Sequence, residues 1–154
     1  MSDKALRKHL SELLEGKSAH VDIESVVVDF PTGEINTRVD SSPHTAWQLL
    51  EHMRIAQRDI LEFCRSADHE SPPWPEGYWP TDNGTDEKWK ISVAQILADL
   101  DSVRELARND SIDLFARIKH GDGQTVLREI LLVADHNAYH LGQLMLVRRM
   151  LESK

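Results

Sequence analysis

Asp135-His136-Asn137-Ala138-Tyr139-His140-Leu141-Gly142-Gln143 lies inside a mostly apolar run, Val126 to Leu151, that holds no proline and so predicts one helix. At 3.6 residues per turn, His136 and His140 stand about 40° apart around its axis, one above the other. Two imidazoles in that relation can share one metal ion, because zinc–nitrogen bonds of roughly 2.0–2.1 Å fit the spacing. A third ligand would complete a facial set. The upstream candidate is His52, in the amphipathic run Trp47-Gln48-Leu49-Leu50-Glu51-His52-Met53.

On the wheel of this last helix, Leu127, Leu131, Ala134, Ala138, Leu141 and Met145 share one side. His136 and His140 fall nearly opposite, with Val133, Leu144 and Val147 close by. Two apolar faces predict burial on both: one toward a metal site, the other against a further element or a second subunit. A homodimer is therefore expected. Thr125 is the natural N-cap.

Three more helices precede it. The first is expected over Asp3–Glu15, capped by Ser2, striped with Leu6, Leu10, Leu13 and Leu14, and ended by Gly16. The second starts at Ser42 as N-cap with Pro43 as first helical residue and runs to about Ser66. It turns Ala46, Leu49, Met53, Ala56, Ile60 and Phe63 inward. The third spans Asp86–Arg108, with Trp89, Val93, Ile96, Leu97, Leu100, Val103 and Leu106 at helical spacing. Four long helices and no convincing sheet predict a single all-α domain over residues 1–154, a four-helix bundle with long irregular connections.

Those connections are less decided. Ile23 to Phe30 carries a Val-Val-Val run that favours a strand, while Asp22 and Glu24 suit the opening of a short helix. Pro31-Thr32-Gly33 reads as a turn and Ile35 to Asp40 as extended chain. Residues 67–84 hold Pro72, Pro73, Trp74, Pro75, Tyr78, Trp79 and Pro80, which forbid a continuous helix and suit either a binding loop or a cover over one end of the core. In 109–124, Leu114, Phe115 and Ile118 are expected to tuck inward.

The chain of 154 residues carries a net charge of −8 with a pI near 5.4 and no cluster of Lys and Arg, which gives no footprint for nucleic acid. One cysteine, Cys64, excludes an internal disulfide and a Cys-based zinc site, and fits a reducing compartment. Charges at Asp3, Lys4, Arg7 and Lys8 leave no apolar signal core, and no stretch approaches the ~20 apolar residues of a membrane span. A soluble, cytoplasmic protein with no membrane partner is expected. Gly121-Asp122-Gly123 is too short for a phosphate loop, and His136-Asn137-Ala138-Tyr139-His140 lacks the glutamate of a zinc protease. His9, His20, His44, His69 and His120 occupy polar or loop positions. His44, near the start of the second helix, could approach an open metal site as a further ligand, but lies about 80° from His52 on the wheel.

The chain resembles the DinB superfamily, the DinB/YfiT-like group, through Trp47-Gln48-Leu49-Leu50-Glu51-His52 and His136-Asn137-Ala138-Tyr139-His140-Leu141-Gly142-Gln143. In that family a second-helix histidine joins two last-helix histidines that are followed by a Gly-Gln pair. The resemblance implies a four-helix bundle, a site formed by His52, His136 and His140 for one divalent metal (zinc or nickel foremost, iron or manganese as other choices), and frequent dimers.

Three neutral histidines leave such an ion its full charge and an open position, which suits Lewis-acid work on water or a thiol. Residues one or two turns away should orient or assist: Gln143, seven after His136; Glu129, seven before it; and Asp59, seven after His52. Relatives that use bacillithiol, mycothiol or glutathione imply a metal-dependent transferase acting on an electrophilic substrate. The alternatives are a metal-dependent hydrolase with Glu129 or Asp59 as base, and a non-catalytic, stress-related metal-binding protein.

Overall fold

The computed structural model describes residues 3–40 and 42–153. Five α-helices make up the fold: α1 (Lys4–Glu15), α2 (Ile23–Val27), α3 (Ala46–Arg65), α4 (Asp86–Arg108) and α5 (Val126–Glu152). Among the described residues there is no strand, only one isolated bridge between Arg117 and Thr125. The expectation of an all-α protein is met, with a fifth, five-residue helix added to the four long ones.

Helix ends follow local chemistry. Asp3 occupies the N-cap position of α1; Ser2, the expected cap, lies outside the described residues. Gly16 closes α1 at φ +70°, a left-handed backbone that costs glycine little, and its N–H returns to the Leu13 carbonyl. The Asp22 side chain caps α2 by accepting from the Ser25 N–H, which settles the Val-rich segment as helix. A strand there would have had no neighbour to pair with. Thr85 and Thr125 cap α4 and α5.

The second long helix starts later than Ser42 and Pro43 suggest. Thr45 is its N-cap and Gln48 completes a capping box: Thr45 Oγ1 accepts from the Gln48 N–H at 3.2 Å, and Gln48 Oε1 accepts from the Thr45 N–H at 3.0 Å. That arrangement satisfies two otherwise orphaned donors, where a Ser-Pro start satisfies one. Ser42 instead forms a tight turn, its hydroxyl donating to the His44 carbonyl at 2.6 Å.

α3 is the central element, packed on both α4 and α5, while α1 packs chiefly on α4. Leu49, Leu50, Met53, Leu61, Ile96, Ile130 and Leu144 are all but completely buried between them. Burying side chains of this size stabilises a fold by about 1.5–3 kcal/mol each. On α5, Val133, Leu144 and Val147 face this core, whereas Leu131 and Ala138 on the other side are exposed. Phe115, expected inside, is 62% exposed; Leu114 and Ile118 from the same loop are buried.

Polar side chains pin the irregular segments. The Arg7 guanidinium, buried under α1, donates to the carbonyls of Ala107, Asn109 and Ile112 and so closes the C-terminal end of α4. Arg148 does the same for α2 through the carbonyls of Val26 and Asp29. Gly84 meets the Trp47 ring so closely that a Cβ there would lie 2.6 Å from it, and Asn36 bonds both the N–H and the carbonyl of Gly84. No helix among the described residues is long and apolar enough to cross a membrane.

Candidate metal centre

The motif on α3 divides its labour by residue. The Trp47 indole donates to the Asp82 carbonyl at 2.9 Å, Gln48 caps, and Glu51 is a buried carboxylate held by Arg54 and by the Ser92 hydroxyl. His52 comes next, 3% exposed and aimed at α5. On α5 the Asn137 amide donates to Gln57 of α3 at 2.7 Å, and Gln57 in turn donates to the Ile96 carbonyl of α4. This buried link joins three helices beside His136, and it sets the register that brings His136 and His140 opposite His52.

The three rings meet at their Nε2 atoms. His52 Nε2 lies 3.1 Å from His140 Nε2 and 3.1 Å from His136 Nε2, and the ligand atoms of the trio all fall within 4.8 Å of one another. Two nitrogens bound at about 2.0–2.1 Å in a tetrahedral shell sit roughly 3.3 Å apart, so the spacing suits a shared ion.

Tautomers sharpen the fit. His52 Nδ1–H donates to the Tyr78 carbonyl at 2.9 Å, and His140 Nδ1–H donates to Gln143 Oε1 at 3.0 Å. Since a carbonyl oxygen only accepts, the proton of each neutral ring belongs on Nδ1 and the lone pair on Nε2. Two lone pairs 3.1 Å apart repel, and a cation between them removes the repulsion. His136 Nδ1 is buried with no partner. Burial holds all three rings below the ordinary histidine range; for His136, burial followed by the neighbouring His140 and His52 lowers it to about 4. At neutral pH the rings are uncharged and competent as ligands.

The proline-rich segment forms a wall of this centre. A 3₁₀ turn at Glu76–Tyr78 presents the carbonyl that holds His52. Trp79 then stacks on His52, with ring centres 4.0 Å apart and planes 3° from parallel, and its other face stacks on His44 at 4.0 Å. Of the two roles expected for residues 67–84, Trp79 takes the one nearest the chemistry, while Trp74 is 74% exposed. His44 contributes a stacked ring rather than a ligand atom.

The three assisting residues fare differently. Gln143 reaches His140. Asp59 does not reach the histidines: one oxygen accepts from His69 Nε2 at 2.7 Å and the other from the Tyr78 hydroxyl at 2.6 Å. It acts one step back, on the turn whose carbonyl holds His52. Glu129 is buried and paired with Arg128 at 2.7 Å, and it adds to the burial that raises the Cys64 thiol. Seven residues separate it from His136, about 10 Å along the helix. Neither carboxylate bonds a histidine of the trio.

Two features escaped the sequence reading. The Tyr78 carbonyl is a backbone atom that no residue type announces. The sandwich of Trp79 between His44 and His52 needs the fold to bring three segments together, although Trp79 itself stood out by its proline-rich surroundings.

Compared with known proteins, residues 17–144 match the family profile described as the DinB superfamily. No curated protein and no solved structure matches the chain.

Proposed function

This chain belongs to the DinB superfamily, and we propose that it is a metal-dependent enzyme that activates a low-molecular-weight thiol for transfer to an electrophile. The observation that carries the proposal is the convergence of three uncharged Nε2 atoms from His52, His136 and His140. His52, His136 and His140 would hold a divalent ion, zinc or nickel foremost, which would supply Lewis acidity to a bound thiol.

The protein's own contribution is orientation and exclusion. The Tyr78 carbonyl and Gln143 keep the Nδ1 protons of His52 and His140 and thereby leave Nε2 free. Trp79 covers one face of His52 against water. The Asn137–Gln57 bond holds α5 in register.

A thiol suits this site: a free thiol ionises near pH 8.5, so a modest stabilisation of the anion suffices at neutral pH. The two carboxylates a hydrolase would use as base are both engaged elsewhere, Asp59 with His69 and Tyr78, Glu129 with Arg128.

Metal content of untagged protein tests the centre: about one divalent ion per chain is expected, and none in the variant with His52, His136 and His140 all changed to Ala. Product analysis with a panel of electrophiles, with and without added bacillithiol, mycothiol or glutathione, then tests the chemistry. Products that carry the thiol support transfer. Hydrolysis that is indifferent to thiol would overturn it in favour of the hydrolase. An ion that activates neither leaves a non-catalytic metal-binding protein.

A further inference from the structure

A cavity of about 190 Å³ opens beside the centre, between the turn before α3 and the C-terminal half of α5. Its lining is mainly apolar: Pro43, Leu49, Leu146, Val147 and Met150. Two further lining residues are already tied to the histidines. Gln143 bonds His140, and His44 stacks on the Trp79 that stacks on His52. The cavity and the metal centre therefore share a wall.

The space opens to solvent past Leu146, which is exposed, and Met150, and an apolar site of comparable volume, roughly 150 Å³, takes up benzene. The nearby centre, by contrast, is built from polar atoms. An organic molecule seated in the cavity would lie against Gln143 and His44, the residues that hold His140 and flank the Trp79 stack.

We propose that this cavity is the subsite for the apolar body of the electrophilic substrate, and that it takes a single aromatic ring or an alkyl group of similar bulk. Its use in catalysis rests on the metal-centre reading above; its occupancy does not. The volume is close to that of an apolar cavity known to hold one benzene ring. The lining offers no Lys or Arg to a charged substituent, and Asp40 at the rim disfavours an anionic one. The selected substrate is thus a neutral compound with one small apolar group.

The test uses toluene as probe against the full chain loaded with zinc, read by amide chemical shifts. Shifts are expected to concentrate at residues 42, 44, 49 and 143–150. Two variants at Leu146, which is 55% exposed and so tolerant of change, close the cavity differently: L146W by bulk and L146E by charge. Each is expected to weaken toluene binding at least tenfold, while metal content and far-UV circular dichroism stay those of the natural protein. Toluene shifts that are absent, lie elsewhere or persist in both variants would overturn the subsite. A chain that binds no zinc yet takes up toluene at these residues would keep the subsite and remove the metal reading, so the two fail separately.

Discussion

Gln143 is where the centre is most open to a clean perturbation. Its Oε1 accepts the His140 Nδ1–H at 3.0 Å, and the side chain is partly exposed. Replacing it with Leu keeps the bulk and removes the acceptor. Without an acceptor the ring loses its bias toward the Nδ1–H tautomer, and part of the population carries the proton on Nε2, where it blocks coordination. Losing such a partner behind a metal-bound histidine costs 10–100-fold in affinity. The lower end applies here, for two reasons. Water can reach the vacated position, and His52 stays anchored by a backbone carbonyl that the substitution cannot touch. The expected outcome for Q143L is a rise of about tenfold in the zinc Kd, about 1.4 kcal/mol. Q143E, which restores an acceptor, should bind zinc at least as tightly as the natural protein. Competition against a chromophoric chelator at pH 7.4 measures both. A Q143L affinity within twofold of the natural protein, or a loss in Q143E as large as in Q143L, would refute the tautomer argument.

Three other outcomes follow from named contacts. Burial and the negative Glu129 push the Cys64 thiol up to about 12, so iodoacetamide at pH 8 should modify it at least about a hundredfold more slowly in the native protein than in urea. Because that folded value exceeds the unfolded one near 8.5, the unfolded state gives up its proton first, and this contribution to stability is lost as pH rises from about 9 toward 12. Equal rates of modification in the two states would count against a buried, neutral thiol. Arg7→Met should lower the unfolding free energy by about 2–4 kcal/mol, since two carbonyls at the end of α4 and that of Ile112 in the following loop lose their donor; an unchanged urea midpoint would mean that water caps the helix equally well. The exposed Leu131 and Ala138 on α5 lead us to expect a homodimer, seen by sedimentation equilibrium and lost in L131E, and a monomeric natural protein would remove it.

Where helix-end chemistry was unopposed, the elements could be read from residues. Thr125 capped α5, Gly16 ended α1, and Asp86 opened α4. Ambiguity came from competing signals. Ser42-Pro43 and Thr45-x-x-Gln48 both announce a helix start within four residues, and the reciprocal capping box prevailed. In Val26-Val27-Val28 the branched side chains favoured a strand, but a strand needs a partner edge, and Asp22 offered the helix a cap at once. Phe115 shows the converse limit. Its apolarity says nothing of whether a loop has room beneath it, and Leu114 took that room.

The centre was legible where identity and spacing coincide, and opaque where backbone or long-range placement decides. A turn of helix sets His136 beside His140 in any fold, but His52 arrives through the packing of α3 on α5, to which the Asn137–Gln57 bond adds a polar link. The same reasoning explains why three histidines outlast the carboxylates as candidates. A face shared on a helical wheel guarantees direction and not depth, and both Asp59 and Glu129 lie about 10 Å along the axis from the ring they were to serve. Each found a nearer cation or donor on the way: His69 and Tyr78 for Asp59, Arg128 for Glu129. What remains near the metal is a set of neutral acceptors and aromatic faces. Such surroundings carry no negative charge of their own, so a cation held by the three rings would keep its charge available to an anionic ligand.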